Sequence, residues 1–215
     1  MQIVNLEQAR AVLELTLGEY AVVRTAYHSA MYDSVDGYLT GSEPITQSKK
    51  DMLSAITIAY GATATIAWKD GNGDMTQAAA IGVLLQSTID EQQGFASQLF
   101  ERLKLLRPQL DKAGMDAHQT IIREANQRAD GYASTLDYFY ALVKLMALGE
   151  QELMFGGTSG VESCPECEML MNTWHPASYY VANGYVPPKG ENLTCAPGGL
   201  CEHVLMDKQG RLVTI

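Results

Sequence analysis

The chain has 215 residues, 47% of them apolar and 19% charged, with a net charge of −10. That length suits one large domain or one domain with a small lobe, and the apolar share is enough for a sizeable core. The acidic balance argues against nucleic-acid binding by counterion release, which needs clustered lysine and arginine, and no run of 18 apolar residues offers a transmembrane helix.

The acid is spread along the chain. Residues 1–155 carry 12 Lys and Arg against 19 Asp and Glu, and residues 156–215 carry 3 against 6. Asn5, Leu6, Glu7 and Gln8 read as a capping box that opens a first helix. Leu6, Ala9, Val12, Leu13, Leu17, Tyr20 and Val23 then share one face at helical spacing, extending to Tyr27. The polar, glycine-containing run Asp33 to Pro44 signals its end. A second helix is expected from Gln47 or Ser48 through Met52, Ile56, Ala59, Thr63 and Ile66 to Trp68. Its Ala and Thr content suits close packing.

Asp70-Gly71-Asn72-Gly73-Asp74 begins like a calcium loop. Met75 stands where the glycine belongs and Ile81 where the bidentate glutamate belongs, so the segment reads as a turn. Thr76 caps a third helix with Ile81, Leu84, Leu85, Ile89, Phe95, Leu99, Leu103 and Leu106 inward. Gly82 and Gly94 weaken it without ending it, and Pro108 follows its close. Asp116 opens a fourth helix carrying Ile121, Ile122, Ala125, Ala129, Leu136, Phe139, Val143 and Met146, with Gly131 as a possible kink. Four long segments with short connections make an up-and-down bundle or elongated hairpins.

The pattern changes at Gly149. Glu152 to Phe155 reads as a short strand, leading into the flexible run Gly156 to Gly160. His175 to Gly184 reads as a short helix with Pro176 near its start and Gly184 beyond its end. Val186-Pro187-Pro188 is extended. His203 to Met206 and Arg211 to Ile215, around Asp207 to Gly210, give a β-hairpin signal. The expected fold is therefore mainly α, with a helical body at 1–150 and a small α+β lobe at 151–215.

All four cysteines lie in that lobe: Cys164 and Cys167 as a C-x2-C turn, then, after 27 residues, Cys195 and Cys201, with His203 beyond. Two thiolates from each of two bends are what tetrahedral zinc takes. Four sulfurs would close the shell to water, so the ion would be structural rather than catalytic. Five candidate ligands compete for four places. Cys164, Cys167, Cys195 and Cys201 are preferred, with His203 as a replacement for Cys201 or a neighbour of the shell.

Two disulfides are the competing reading. They need an oxidising compartment, and the start of the chain lacks the basic region of a signal peptide. A redox C-x-x-C should open a helix beside a βαβ unit, which the sequence around Cys164 does not suggest. A lobe of about 60 residues with few large apolar groups could hardly fold alone without a staple, which is what zinc would provide.

Catalytic patterns are not in view. His28, His118 and His175 are far apart and outside any H-E-x-x-H, and His118 reads as an exposed first-turn residue. Gly157 to Val161 misses the final glycine of a nucleophile elbow, and no phosphate-binding glycine motif occurs. Asn192-Leu193-Thr194 is a glycosylation sequon only if the chain is secreted. Tyr138, Tyr140 and Met146 read as core residues. An enzyme is not expected.

The block Gly149 to Leu205 resembles the C-terminal module of tailed-phage head morphogenesis proteins, also called minor head or minor capsid proteins. The match rests on order: a strand-like segment with Gly, C-x2-C at Cys164, a strand and turn ending near Trp174 or the short helix, a Pro-bearing segment at Pro187, and Cys195-x5-Cys201-x-His203, all after a helical region. The resemblance implies zinc-ligand roles for Cys164, Cys167, Cys195 and Cys201 or His203, the last standing where a cysteine is usual. It also implies portal or capsid proteins as partners, several copies per particle, and a place in the virion and, during assembly, the host cytoplasm. The C-P-x-C knuckle alone leaves a zinc-ribbon nucleic-acid or regulatory module as the alternative.

Overall fold

The computed structural model describes residues 6–74, 78–110, 115–156, 164–188, 190, 192–194 and 203–214, with backbone alone at 6–17, 78, 80, 115–118 and 133. The fold is mainly α, with a small three-stranded antiparallel sheet near the C-terminus. Two compact units divide it: Met1–Thr63 with Gly82–Ser134, and Ala64–Ile81 with Thr135–Ile215. The sequence suggested a division at residue 150, where the helical pattern stops. Compactness groups the last residues of two long helices and the first of a third with the C-terminal segment.

The first unit is built on α1 (Leu6–Thr40) and parts of α2 (Ile45–Asp70), α3 (Ala78–Leu110) and α4 (Met115–Leu148). Asn5, Thr76 and the side chains of the inward face from Leu6 to Leu17 lie outside the described residues, as does the side chain of Asp116. The α1 helix runs through the segment expected to end it. Met31, Val35, Tyr38 and Leu39 continue the buried stripe of Tyr20 and Tyr27 at helical spacing. The polar residues that suggested a loop are absorbed by the helix: Ser34 Oγ donates to the Ala30 carbonyl (2.7 Å) and Thr40 Oγ1 to that of Asp36 (2.8 Å). What stops the helix is Gly41, at φ +78°, a conformation that costs glycine least.

The α2 helix starts two to three residues before the expected Gln47 or Ser48, because the Pro44 carbonyl accepts from the Gln47 and Ser48 amides (2.9 and 3.1 Å). Tyr27 meets Tyr60 edge-on at 6.1 Å, and Tyr38 meets Phe100 at 6.3 Å with the Arg107 guanidinium 4.9 Å above the Tyr38 ring. Tyr132 Oη donates to the Phe95 carbonyl (3.1 Å), and Arg102 lies 3.6 Å from Glu124. Those two links run α4 antiparallel to α3. Phe95, expected inward, is 39% exposed and stands beside Tyr132; Ala96, Leu99 and Phe100 fill the interior. Pro108 lies inside the last turn of α3 rather than after it.

In the second unit the end of α2 meets the end of α4. Asp70 to Asp74 form the expected turn, closed by Gly71 N to the Ala67 carbonyl (3.0 Å) and Gly73 N to that of Trp68 (2.9 Å). Tyr140 Oη donates to Asp70 (2.6 Å), and Lys144 Nζ lies 5.5 Å from the centre of the Tyr140 ring. Gly71 is so close to α4 that a Cβ there would sit 2.4 Å from Ala147 Cβ and 2.7 Å from the Lys144 carbonyl.

From Gly149 the chain makes β1 (Glu152–Gly156), α5 (Pro165–Leu170), β2 (Trp174–Pro176), α6 (Ala177–Ala182) and β3 (Val204–Met206). The sheet order is β2-β1-β3, all antiparallel. The strand expected at Glu152, the helix expected after His175 and the C-terminal hairpin are present, the last as β3 bridged to Leu212. No local pattern announces the β2 strand, and Pro187 and Pro188 form a buried turn rather than an extended segment. Leu153, Phe155, Leu205 and Val213 point inward onto Ala141 and Leu145 of α4, with Cys167, Leu170, Ala177, Tyr180, Val186 and Leu193 completing the cluster. Tyr180 is fully buried, stacks 6.2 Å from Phe155, and donates its hydroxyl to the Leu153 carbonyl (3.0 Å).

Two predictions follow from this packing. Gly71→Ala forces α2's end off α4 and lowers stability by about 1–3 kcal/mol, read as a lower urea midpoint; an unchanged midpoint would show that the two ends do not meet. The second concerns alkaline pH. Burial pushes the Tyr180 phenol up to about 12, and it raises Tyr27 and Tyr140 as well. An unfolded tyrosine ionises near 10, so above about pH 10 the unfolded chain has lost protons that the folded chain retains, and stability falls as pH rises. The melting temperature should hold level to about pH 9.5 and then drop, less steeply in Tyr180→Phe.

Candidate metal centre

The C-x2-C pair is placed by a helix start. Cys164 is the N-cap of α5 (φ −71°, ψ 162°), Pro165 occupies the first turn, and the Cys164 carbonyl accepts from Glu168 N (2.9 Å). Proline favours that position because its fixed φ suits the helix and its missing N–H has no partner to lose there. The sequence had not suggested a helix opening at Cys164, so this is a correction. The sheet beside it is antiparallel, not βαβ. Spacing of three puts Cys164 and Cys167 on one side of the first turn. Cys167 is buried in the lobe core and Cys164 is partly buried against it.

Glu166, between the two cysteines, accepts a hydrogen bond from the Thr194 hydroxyl. That contact, with backbone N–H groups and the Cys164 thiol as smaller contributors, holds the Glu166 carboxyl below the usual carboxylate range. Thr194 is the residue before Cys195. Its approach is fixed from behind: Leu193 is in the core, Leu193 N donates to the Gly190 carbonyl (3.0 Å), and Asn192 Nδ2 to that of Asn183 (2.9 Å). The chain therefore reaches the C-x2-C turn immediately ahead of the second cysteine pair. Cys195 and Cys201 themselves lie outside the described residues, as do Gly157 to Gly160.

His203 is 4% exposed at the entry to β3, with its ring 5.4 Å from Phe155 and nearly parallel to it. Among the described residues, no three His, Cys, Asp or Glu side chains are gathered to hold one ion, so Cys164, Cys167 and His203 are not such a trio. The donor chemistry suits zinc through sulfur: two cysteines on one helical turn, met by the segment that carries a third. Cys164, Cys167, Cys195 and Cys201 would hold the ion, and it would supply a cross-link between the two cysteine pairs.

The remaining histidines are apart. His28 Nδ1 lies 4.0 Å from Asp130 in the first unit, where Tyr32 also donates to that carboxylate. His175 is on β2, stacked 4.0 Å from Tyr179. The side chain of His118 is outside the described residues. Sequence reasoning missed Glu166 and Thr194 as partners. The only visible signal was their adjacency to the two cysteine pairs. No helix among the described residues is long and apolar enough to cross a membrane. No family model matches the chain, and neither a curated protein nor a solved structure matches it.

If the four cysteines share an ion, the purified protein carries one zinc per chain, and X-ray absorption gives four sulfurs at about 2.3 Å with no nitrogen. Thr194→Val should weaken zinc binding roughly tenfold in chelator competition, while Thr194→Ser keeps it, because groups that orient ligand loops typically matter at that level. Equal affinity in all three would remove Thr194 from the site.

Proposed function

We propose that this chain is a structural and assembly protein of a phage particle, of the minor head or head-morphogenesis type, and not an enzyme. The helical body makes protein–protein contacts with portal or capsid proteins, and zinc held by Cys164, Cys167, Cys195 and Cys201 fixes the shape of the C-terminal lobe. One observation carries the reading: the order of C-x2-C, short helix, proline segment and second cysteine pair, following four long helices. The lobe supports it by joining Glu166 of the first pair to Thr194, next to the second. The acidic charge of −10 favours protein partners over DNA.

The test is mass spectrometry of purified particles from cells that express the chain at its native locus, with co-sedimentation against portal and capsid fractions. The chain is expected in particles at a fixed ratio to the portal protein. Its absence from particles and from both fractions would contradict the reading. Salt-sensitive binding to DNA by the free protein would instead favour a zinc-ribbon nucleic-acid module.

A further inference from the structure

The two faces of the sheet differ. Leu153, Phe155, Leu205 and Val213 turn into the core, and the residues between them turn the other way. Strand register lines these outward residues up in ranks. Trp174 is opposite Met154, Met154 opposite Met206, and Met206 bridges to Leu212, so one apolar row crosses every strand. Trp174 is 41% and Leu212 52% exposed, and Met154 and Met206 are half-buried. On one side of the row lie Glu152 and Lys208, joined at 2.6 Å. On the other, Gly156 is opposite Val204. The Met206 methyl lies where a Cβ on Gly156 would be, so nothing on β1 stands up between the row and solvent there.

We propose that this face binds the same face of a second copy of the chain. The two-fold axis would run along the strands, between β1 and β3. Rotation about that axis keeps each rank in place and reverses the strand order. Trp174 then lies over Leu212 of the second copy, Met154 over Met206, and Glu152 over Lys208, with each contact repeated in reverse. Such a self-matching patch is what an isologous interface requires. The charges select this occupant: Glu152 and Lys208 are opposite in sign and exchange partners across the axis, so neither is left facing its like. The central side chains suit the task, since Trp is a common anchor and Met adapts to its neighbour.

Size sets the strength. Four strand positions at about 4.8 Å and three ranks about 7 Å apart give a face of a few hundred Å², well under the ~800 Å² per partner of a standard interface. The dimer is therefore weak and reversible, and several copies held side by side would favour it. Repulsion between two chains of −10 is screened beyond about 8 Å at 0.15 M salt, where the measurement belongs. The pairing does not depend on the phage reading.

Sedimentation of the full chain from about 1 to 300 µM tests it. The average mass should rise from the 23.5 kDa monomer toward twice that value, with a dissociation constant in roughly the 10–100 µM range. Trp174→Glu and Leu212→Lys should each weaken association more than tenfold with helical circular dichroism unchanged. Carbodiimide treatment of a mixture of light and heavy-nitrogen protein should give a mixed-isotope link between Glu152 and Lys208. A monomer at every concentration, or association that neither variant weakens, would overturn the proposal.

Discussion

The inner face of a three-stranded sheet, set against the last turns of α4, is the contact on which the C-terminal half of this chain depends. Leu153 and Phe155 of β1, Leu205 of β3 and Val213 beyond it all reach the same cluster as Ala141 and Leu145. Strands of three to five residues cannot hold their own shape in water, and an apolar surface to lie on is what stabilises them. Once β1 is seated, its register places Trp174, Met206 and Leu212 in one outward row. It also sets His203 beside Phe155. Helix α5 is tied to the same strand, through Asn172 N to the Phe155 carbonyl (2.8 Å).

This contact changes the role left for a metal. The sequence suggested that so small a lobe could hardly fold without a staple. The structure gives it an apolar floor from α4 and a fully buried Tyr180, so an ion gripping the two cysteine pairs would add to a core rather than replace one. Its effect would be a second tie between two stretches of chain that the Glu166–Thr194 bond already joins.

Much of the fold could be read from periodicity. The four long helices, the turn at Asp70, the strand at Glu152, the helix after His175 and the closing hairpin all announce themselves by spacing and by Gly or Pro. The misses have physical causes. Asp33 to Thr40 looked like a loop by composition, yet Val35, Tyr38 and Leu39 keep the helical stripe, and the hydroxyls of Ser34 and Thr40 turn back onto the helix. Phe95 was counted as core by hydropathy, while Ala96 and Phe100 are better aligned with the interior. The β2 strand has only three residues and owes its existence to pairing with β1, which no local pattern reports. The candidate site was legible as cysteine spacing. Its Glu166–Thr194 link was not, since it joins residues 28 positions apart.

The claim that the sheet and the end of α4 form one unit is tested most directly by native-state hydrogen exchange in rising denaturant. Amides of residues 139–148 and of β1 and β3 should lose protection together, with one free energy and one denaturant slope, as parts of a single cooperative unit do. If β1 and β3 exchange through an opening that leaves residues 139–148 protected, the lobe stands apart from α4 and the account is wrong.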